Sequence, residues 1–171
     1  MIRGICICGL NGSGKTTLAA SLSRSLNYKL MDIEDYYFLP SDVPYSRPRT
    51  KEEVIPLVLE DIHENPCFVF SSVKGNMTHE INAKYDLVVY LDVPKEIRME
   101  RIKKRAFDKF GDRVLIGGDM YEQEEAFFKM ASKREPSAIE AWLNTISCKV
   151  LRLDGTKDIN DNVKMILEEI K

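Results

Sequence analysis

Eight residues near the amino terminus carry the densest chemistry in this sequence. Gly9-Leu10-Asn11-Gly12-Ser13-Gly14-Lys15-Thr16 fits the pattern G-x-x-x-x-G-K-[ST] at every required position. Glycines at these points let the backbone take left-handed conformations and approach phosphate oxygens closely, so that successive N–H groups converge on them. Lys15 adds a point charge for the β- and γ-phosphates, and Thr16 offers a hydroxyl to magnesium. A helix starting here aims the positive end of its dipole at the anion. The ligands implied are ATP and Mg2+. The candidate nucleotide-binding residues are Gly9, Asn11, Gly12, Ser13, Gly14, Lys15, Thr16 and Thr17, with Thr16 on the metal.

Other charged residues stand where they could serve a transfer reaction. Asp32, in Leu30-Met31-Asp32-Ile33-Glu34-Asp35, closes the second expected strand, at the end where open α/β sheets bind ligands. It could assist magnesium or take the proton of an acceptor hydroxyl, and Glu34 and Asp35 compete for that role. Arg101 and Arg105 are four apart and share a helical face; Lys103 and Lys104 make a solvated basic face the alternative reading. Arg113 lies in a polar, glycine-punctuated segment, where a flap hinged on Gly111 and Gly117-Gly118 could bring its guanidinium to the reaction. A surface-loop arginine is the competing reading. His63 and His79 are isolated and read as neither catalytic nor metal-binding.

The elements that must position these groups follow from periodicity. Ile2 to Cys8, Tyr28 to Ile33, Cys67 to Val73, Asp86 to Val93 and Cys148 to Leu153 read as strands, separated by helical patterns. That alternation predicts a parallel α/β sheet. Leu18, Leu22 and Leu26 form one face of a helix after the glycine loop. Thr50 to Asn65 is expected as a helix kinked or starting near Pro56, and Pro94 to Phe107 as one opening on its proline. Asp119-Met120-Tyr121-Glu122 resembles a helix cap, Pro136 starts a helix through Ile146, and Ile159 to Ile170 forms the last. Cys6, Cys8, Cys67 and Cys148 all fall in expected strands. The Cys6-x-Cys8 spacing points both thiols to one side, as small reduced core residues.

At 171 residues the chain reads as a single domain, 1–171. With 30% charged and 44% hydrophobic residues and a net charge of −2, it gives no electrostatic reason to expect nucleic-acid affinity. No apolar run approaches membrane-spanning length and no signal-peptide pattern opens the chain, so a cytoplasmic location is expected.

Taken together, these residues resemble the nucleoside and nucleotide kinase group of P-loop proteins, the adenylate-kinase-like and shikimate-kinase-like small-molecule kinases. Beyond the phosphate loop the resemblance rests on three stretches. Asp86-Leu87-Val88-Val89-Tyr90-Leu91-Asp92-Val93-Pro94 followed by Glu100-Arg101 and Arg105 resembles the fourth strand and lid helix; Leu151-Arg152-Leu153-Asp154-Gly155-Thr156 resembles the strand and loop beside the adenine. Leu30 to Asp35 resembles the acidic end of strand two. The resemblance implies a three-layer P-loop NTPase fold with a five-stranded parallel sheet of order 2-3-1-4-5 and a helical lid. It further implies a substrate-binding insertion near residues 36–66 and a lid within about 106–135. Arg101 would then lie against the adenine and Arg105 reach the phosphates, Asp92 would belong to a turn and not to magnesium, and Arg47 and Arg49 would hold an anionic acceptor, a solvent-exposed basic loop explaining them equally well. The third strand departs from the family, reading Phe70-Ser71-Ser72-Val73-Lys74-Gly75-Asn76 where an aspartate-glycine-phenylalanine-proline-arginine run is common.

The expected activity is an ATP-dependent phosphotransferase, with Lys15, Asp32, Arg101, Arg105 and Arg113 as catalytic candidates and a nucleoside, nucleotide or small metabolite as acceptor. A monomer or homodimer is expected, with no membrane partner. The alternatives are a nucleotide-binding regulatory protein or slow ATPase without a small acceptor, and a nucleic-acid-end kinase, which would want a basic channel.

Overall fold

The computed structural model describes residues 2–39 and 48–171. Its strands β1 (Gly4–Cys8), β2 (Lys29–Asp32), β3 (Phe68–Ser72), β4 (Leu87–Asp92) and β5 (Lys149–Asp154) form one sheet. Every pair is parallel and the order is β2-β3-β1-β4-β5, as the resemblance implied. The helices are α1 (Lys15–Leu26), α2 (Ile33–Tyr37), α3 (Lys51–Glu64), α4 (His79–Asn82), α5 (Lys95–Phe110), α6 (Tyr121–Lys133), α7 (Ser137–Leu143) and α8 (Ile159–Glu169), with a 3-10 turn at Gly111–Val114. The short helices α2 and α4 had no clear signal in the sequence.

Strands covered on both faces read as continuous apolar runs. In β1, Ile5 and Ile7 pack with Leu18 and Leu22 of α1 and with Val163 and Ile166 of α8. Cys6 and Cys8 point the other way, among Val54, Val58 and Ile62 of α3 and Ile139 and Trp142 of α7. Both thiols therefore face one layer, as their spacing predicts. Burial raises the Cys6 thiol well above its ordinary value and that of Cys8 to about 12, which keeps both protonated and unreactive. Cys67 and Cys148 fall just before β3 and β5, not inside them.

Helix α3 begins ahead of Pro56 and runs through it. A capping box at its start, Thr50 with Glu53, satisfies two backbone donors. A proline inside a helix costs about 3 kcal/mol. Full burial of Val54, Val58 and Ile62, at about 1.5–3 kcal/mol each, outweighs it.

Helices α5 and α6 pack on each other through a separate cluster of Ile102, Ala106, Val114, Met120, Phe128 and Ala131. The amino end of α6 differs from the expected cap: Met120, not Asp119, takes the cap position, and no side chain caps the helix. Asp119 instead accepts two bonds from Arg113, at 2.9 and 2.7 Å. A bidentate charge-assisted pair is stronger than one cap bond. No helix among the described residues is long and apolar enough to cross a membrane.

Candidate active site

The loop between β1 and α1 takes the conformation its glycines allow. Gly12 and Gly14 have φ of 83° and 93°, in the left-handed region, and a Cβ at Gly12 would lie 2.4 Å from the Arg98 carbonyl oxygen. Gly14 caps α1 without a side-chain bond, and no acidic residue occupies the first turn. The N–H groups of that turn are thus left for an anion, with the helix dipole behind them. Burial, the largest influence, lowers the pKa of Lys15; Glu34 and Asp32 pull it up, and Arg105 and Arg134 push it down. Two acids from one turn and two arginines from two other parts of the chain therefore act on this ammonium.

Sheet pairing brings the acidic group to the loop. Asp32 lies in register with Ser71 of β3. The Thr16 hydroxyl donates to Asp32 Oδ2 at 2.8 Å and lies 3.3 Å from Ser71 Oγ. The other carboxylate oxygen of Asp32 accepts the Glu34 N–H at 3.0 Å and so starts α2. Asp32 is in this way tied to the residue expected to bind metal, while Glu34, one step along α2, acts on Lys15. Burial, then the neighbouring charge of Asp32, raises the Asp35 carboxyl. A hydroxyl and a carboxylate oxygen suit Mg2+, which keeps several waters and binds phosphates through the rest of its shell. Among the described residues no group of three His, Cys, Asp or Glu side chains could hold a metal by itself. The donors present therefore fit a metal carried with a phosphate ligand. Sequence reading passed over Ser71; its signal was the strand register.

Two arginines of α5 brace the loop. Arg101 donates to the carbonyls of Ser13 at 3.3 Å and Gly155 at 3.0 Å, joining the phosphate loop to the turn after β5. Arg98, missed in the sequence although it lies three residues before Arg101 on the same face, is 4% exposed. It donates to the carbonyls of Val93 and Asn11, each at 3.2 Å. Arg105 is exposed, one turn beyond Arg101. Arg134, also missed, follows α6 and donates to Asn11 Oδ1 at 2.8 Å.

Other candidates lie elsewhere. Arg113 is exposed and held by Asp119, and it is not among the charges acting on Lys15. Asp92, the last residue of β4, accepts a bond from the Tyr90 hydroxyl at 3.4 Å, and its carbonyl receives the Gly155 N–H at 2.8 Å, which links the end of β4 to the loop after β5. Arg49 donates to the Tyr36 carbonyl at 2.8 Å, and Arg47 lies outside the described residues. His63 and His79 sit exposed on α3 and α4. A cavity of about 600 Å3 opens at the opposite end of the sheet, between Ile2, Tyr28, Val163 and Leu167, and contains none of the candidate residues.

Comparison with known proteins agrees with this fold. A family model described as an AAA domain matches residues 5–114. The uncharacterized protein YqaC of Bacillus subtilis (strain 168) is 31% identical over 98% of this chain and 97% of its own length. Among solved structures, shikimate kinase from Aquifex aeolicus vf5 aligns with 98% of this chain and 96% of its own, at 21% identity and a TM-score of 0.53. A gluconokinase from Sinorhizobium meliloti 1021 aligns over 97% and 90%, at 12% identity and a TM-score of 0.55. Deoxyadenosine kinase from M. mycoides with bound dATP aligns over 99% of both chains, at 18% identity and a TM-score of 0.57. The chain belongs to the AAA-domain family, and its fold is that of the P-loop small-molecule kinases.

Proposed function

We propose that this protein is a cytoplasmic ATP- and magnesium-dependent kinase that moves the γ-phosphoryl group to a small molecule. The observation that carries the reading is the Thr16 to Asp32 hydrogen bond of 2.8 Å, which puts a carboxylate on the metal-binding hydroxyl beside Lys15. A protein that only stored a nucleotide would need the phosphate cradle alone. Here the cradle is accompanied by an acid cluster on one side and by Arg105 of α5 and Arg134 after α6 on the other.

Each group then has a role. The N–H groups of the loop and of the first turn of α1 bind the phosphates, and Lys15 neutralises charge that shifts as the phosphoryl group moves. Arg101 sets the wall against which the base lies, and Arg105 supplies a further cation. Thr16 and Asp32 hold the magnesium, which when bound screens the phosphates from the incoming oxygen. Glu34, or Asp35 beside it, takes the acceptor's hydroxyl proton. Residues from about 106 to 135 close over the bound nucleotide and keep water out. Incubation with labelled ATP and a panel of nucleosides, nucleotides, sugars and small acids tests the reading: labelled product from one acceptor supports it. Phosphate released at the same rate without any acceptor replaces it with an ATPase, a reading favoured by the Ser71-Ser72 ending of β3 and by the engagement of Arg113 with Asp119.

A further inference from the structure

Helix α2 carries Glu34 and Asp35, yet at five residues it is too short to be stable by itself. Its orientation must come from what it touches. Ile33, Tyr36 and Tyr37, spaced i, i+3 and i+4, share one face and pack against the cluster that holds Val54, Val58 and Ile62 of α3. Glu34 and Asp35 are exposed on the other side. Of the two acids acting on Lys15, Glu34 acts the more strongly. Tyr36 and Glu34 stand about 200° apart around the helix axis, so a bond that fixes the first aims the second.

That bond is made to α3. The Tyr36 hydroxyl donates to Asp61 Oδ2. Burial first, and then the bond to Asp61, raise the pKa of the Tyr36 phenol, which therefore stays the donor through the neutral range. Asp61 is itself held: Oδ1 accepts from Asn65 Nδ2 at 3.4 Å and lies 3.6 Å from Nζ of Lys29, the first residue of β2. The carboxyl end of α2 is closed by the residue before the cap of α3. The Arg49 N–H donates to the Tyr37 carbonyl at 2.6 Å and its guanidinium to the Tyr36 carbonyl at 2.8 Å, a cation where the helix dipole favours one. Tyr36 is thus gripped by its side chain and by its carbonyl from the two ends of α3. Asp61 is not among the charges acting on Lys15, so its reach to the transfer site runs through Tyr36.

We propose that Asp61 is a positioning residue of the transfer site, which through the Tyr36 hydroxyl fixes the rotation of α2 and so holds Glu34 toward Lys15. This rests on the kinase reading and adds to it a residue outside the site. A hydrogen bond to a charged acceptor is about twice as strong as a neutral one, so the carboxylate of Asp61 sets α2 more stiffly than an amide in its place would. Asparagine at 61 keeps the size of the side chain, and phenylalanine at 36 keeps the ring on the core. Both substitutions therefore remove orientation and leave packing in place.

The test uses the full-length chain with ATP and magnesium alone, water standing in for the acceptor, and follows ADP release together with amide exchange. Asp61→Asn and Tyr36→Phe should each slow release about fivefold or more at saturating ATP while the KM for ATP stays within about threefold. The two substitutions combined should slow it no more than either alone, because they break one bond. Exchange over residues 33–38 should quicken in both variants, and exchange in α1 and β3 should stay as in wild type. Release unchanged in both variants, a change confined to the KM for ATP, full additivity of the two, or exchange over 33–38 unchanged in both overturns the proposal. Failure of the kinase reading looks different: ATP with magnesium then gives wild type no thermal shift, or wild type releases no ADP, and exchange over 33–38 still decides whether Asp61 sets α2.

Discussion

Facing β4 and β5, the arginines beside the phosphate loop are tied to backbone carbonyls, Arg98 to Val93 and Asn11 and Arg101 to Ser13 and Gly155. Facing β2 and β3, side chains take a larger share of the bonds: Asp32 accepts from the Thr16 hydroxyl as well as from the Glu34 N–H, and Arg134 donates to the Asn11 amide oxygen. Backbone carbonyls move only if the fold moves, whereas side-chain partners can be exchanged for a ligand. On the kinase reading proposed above, the arginine-braced side would be preorganised for nucleotide before any substrate arrives.

The largest expected effect is that of Lys15→Ala. Turnover should fall by about two to three decades, the value of one charge held at a transferring phosphoryl group. The ligand-free protein should melt no lower than wild type. Burial holds the Lys15 pKa below that of an ordinary lysine, so the charged form weighs against folding at neutral pH and wild-type stability recovers as pH rises through the lowered value. The substitution should remove that dependence. Turnover within twofold of wild type would sink the site assignment.

Next comes a contrast between two arginines of one helix. Arg98→Ala strands two carbonyls in a buried site and should cost roughly 3 kcal/mol, read in denaturant unfolding, as bonds from charged donors contribute. Arg105→Ala, at an exposed position, should leave stability unchanged and slow turnover by tenfold or more. If Arg105→Ala unfolds the protein as readily as Arg98→Ala, the distinction between a braced and a free-standing arginine of α5 does not hold.

Those two arginines also show what a sequence can disclose. The phosphate loop was legible because its mechanism dictates residue type and spacing together, and sheet order followed from alternating strands and helices joined to a family resemblance. Arg98 and Arg101 lie on one helical face, yet nothing in their spacing says that one reaches carbonyls of the interior. Ser71 was invisible because only the pairing of β2 with β3 sets it beside Asp32. Arg134 lies far from Asn11 in the chain, and their bond is a product of tertiary packing. The Asp119 cap failed for a related reason: a strong local signal lost to a stronger partner six residues away.

Smaller effects sharpen the comparison further. Arg113→Ala and Asp119→Ala should slow turnover equally and by less than about fivefold, because each removes the same exposed pair that shapes the turn before α6. Slowing by Arg113→Ala alone would place its guanidinium at the reaction on closure. Smallest is Glu124→Gln. Burial raises the Glu124 carboxyl, against the pull of Arg105 and Lys109. Its folded pKa lies above that of an ordinary glutamate, so stability present at lower pH is lost as pH rises through the folded value. The glutamine variant should be slightly the more stable at neutral pH and should match wild type in acid, as followed by thermal melting across that range.

Ile102 stands in two neighbourhoods at once. Its side chain fills the cluster between α5 and α6, and its Cγ1 would be 3.0 Å from a Cβ at Gly12. The helix pair is therefore geared to the phosphate loop through Ile102 as well as through the bonds of Arg98 and Arg101, with α5 as the lever and the carbonyls that Arg98 meets as its anchorage. A tilt of the pair cannot leave Gly12 where it was, and phosphates that settle against Gly12 press on the short arm of that lever. The proposed closure would carry α5 and α6 as one stiff body, so their backbone amides should remain protected from exchange even while the pair swings.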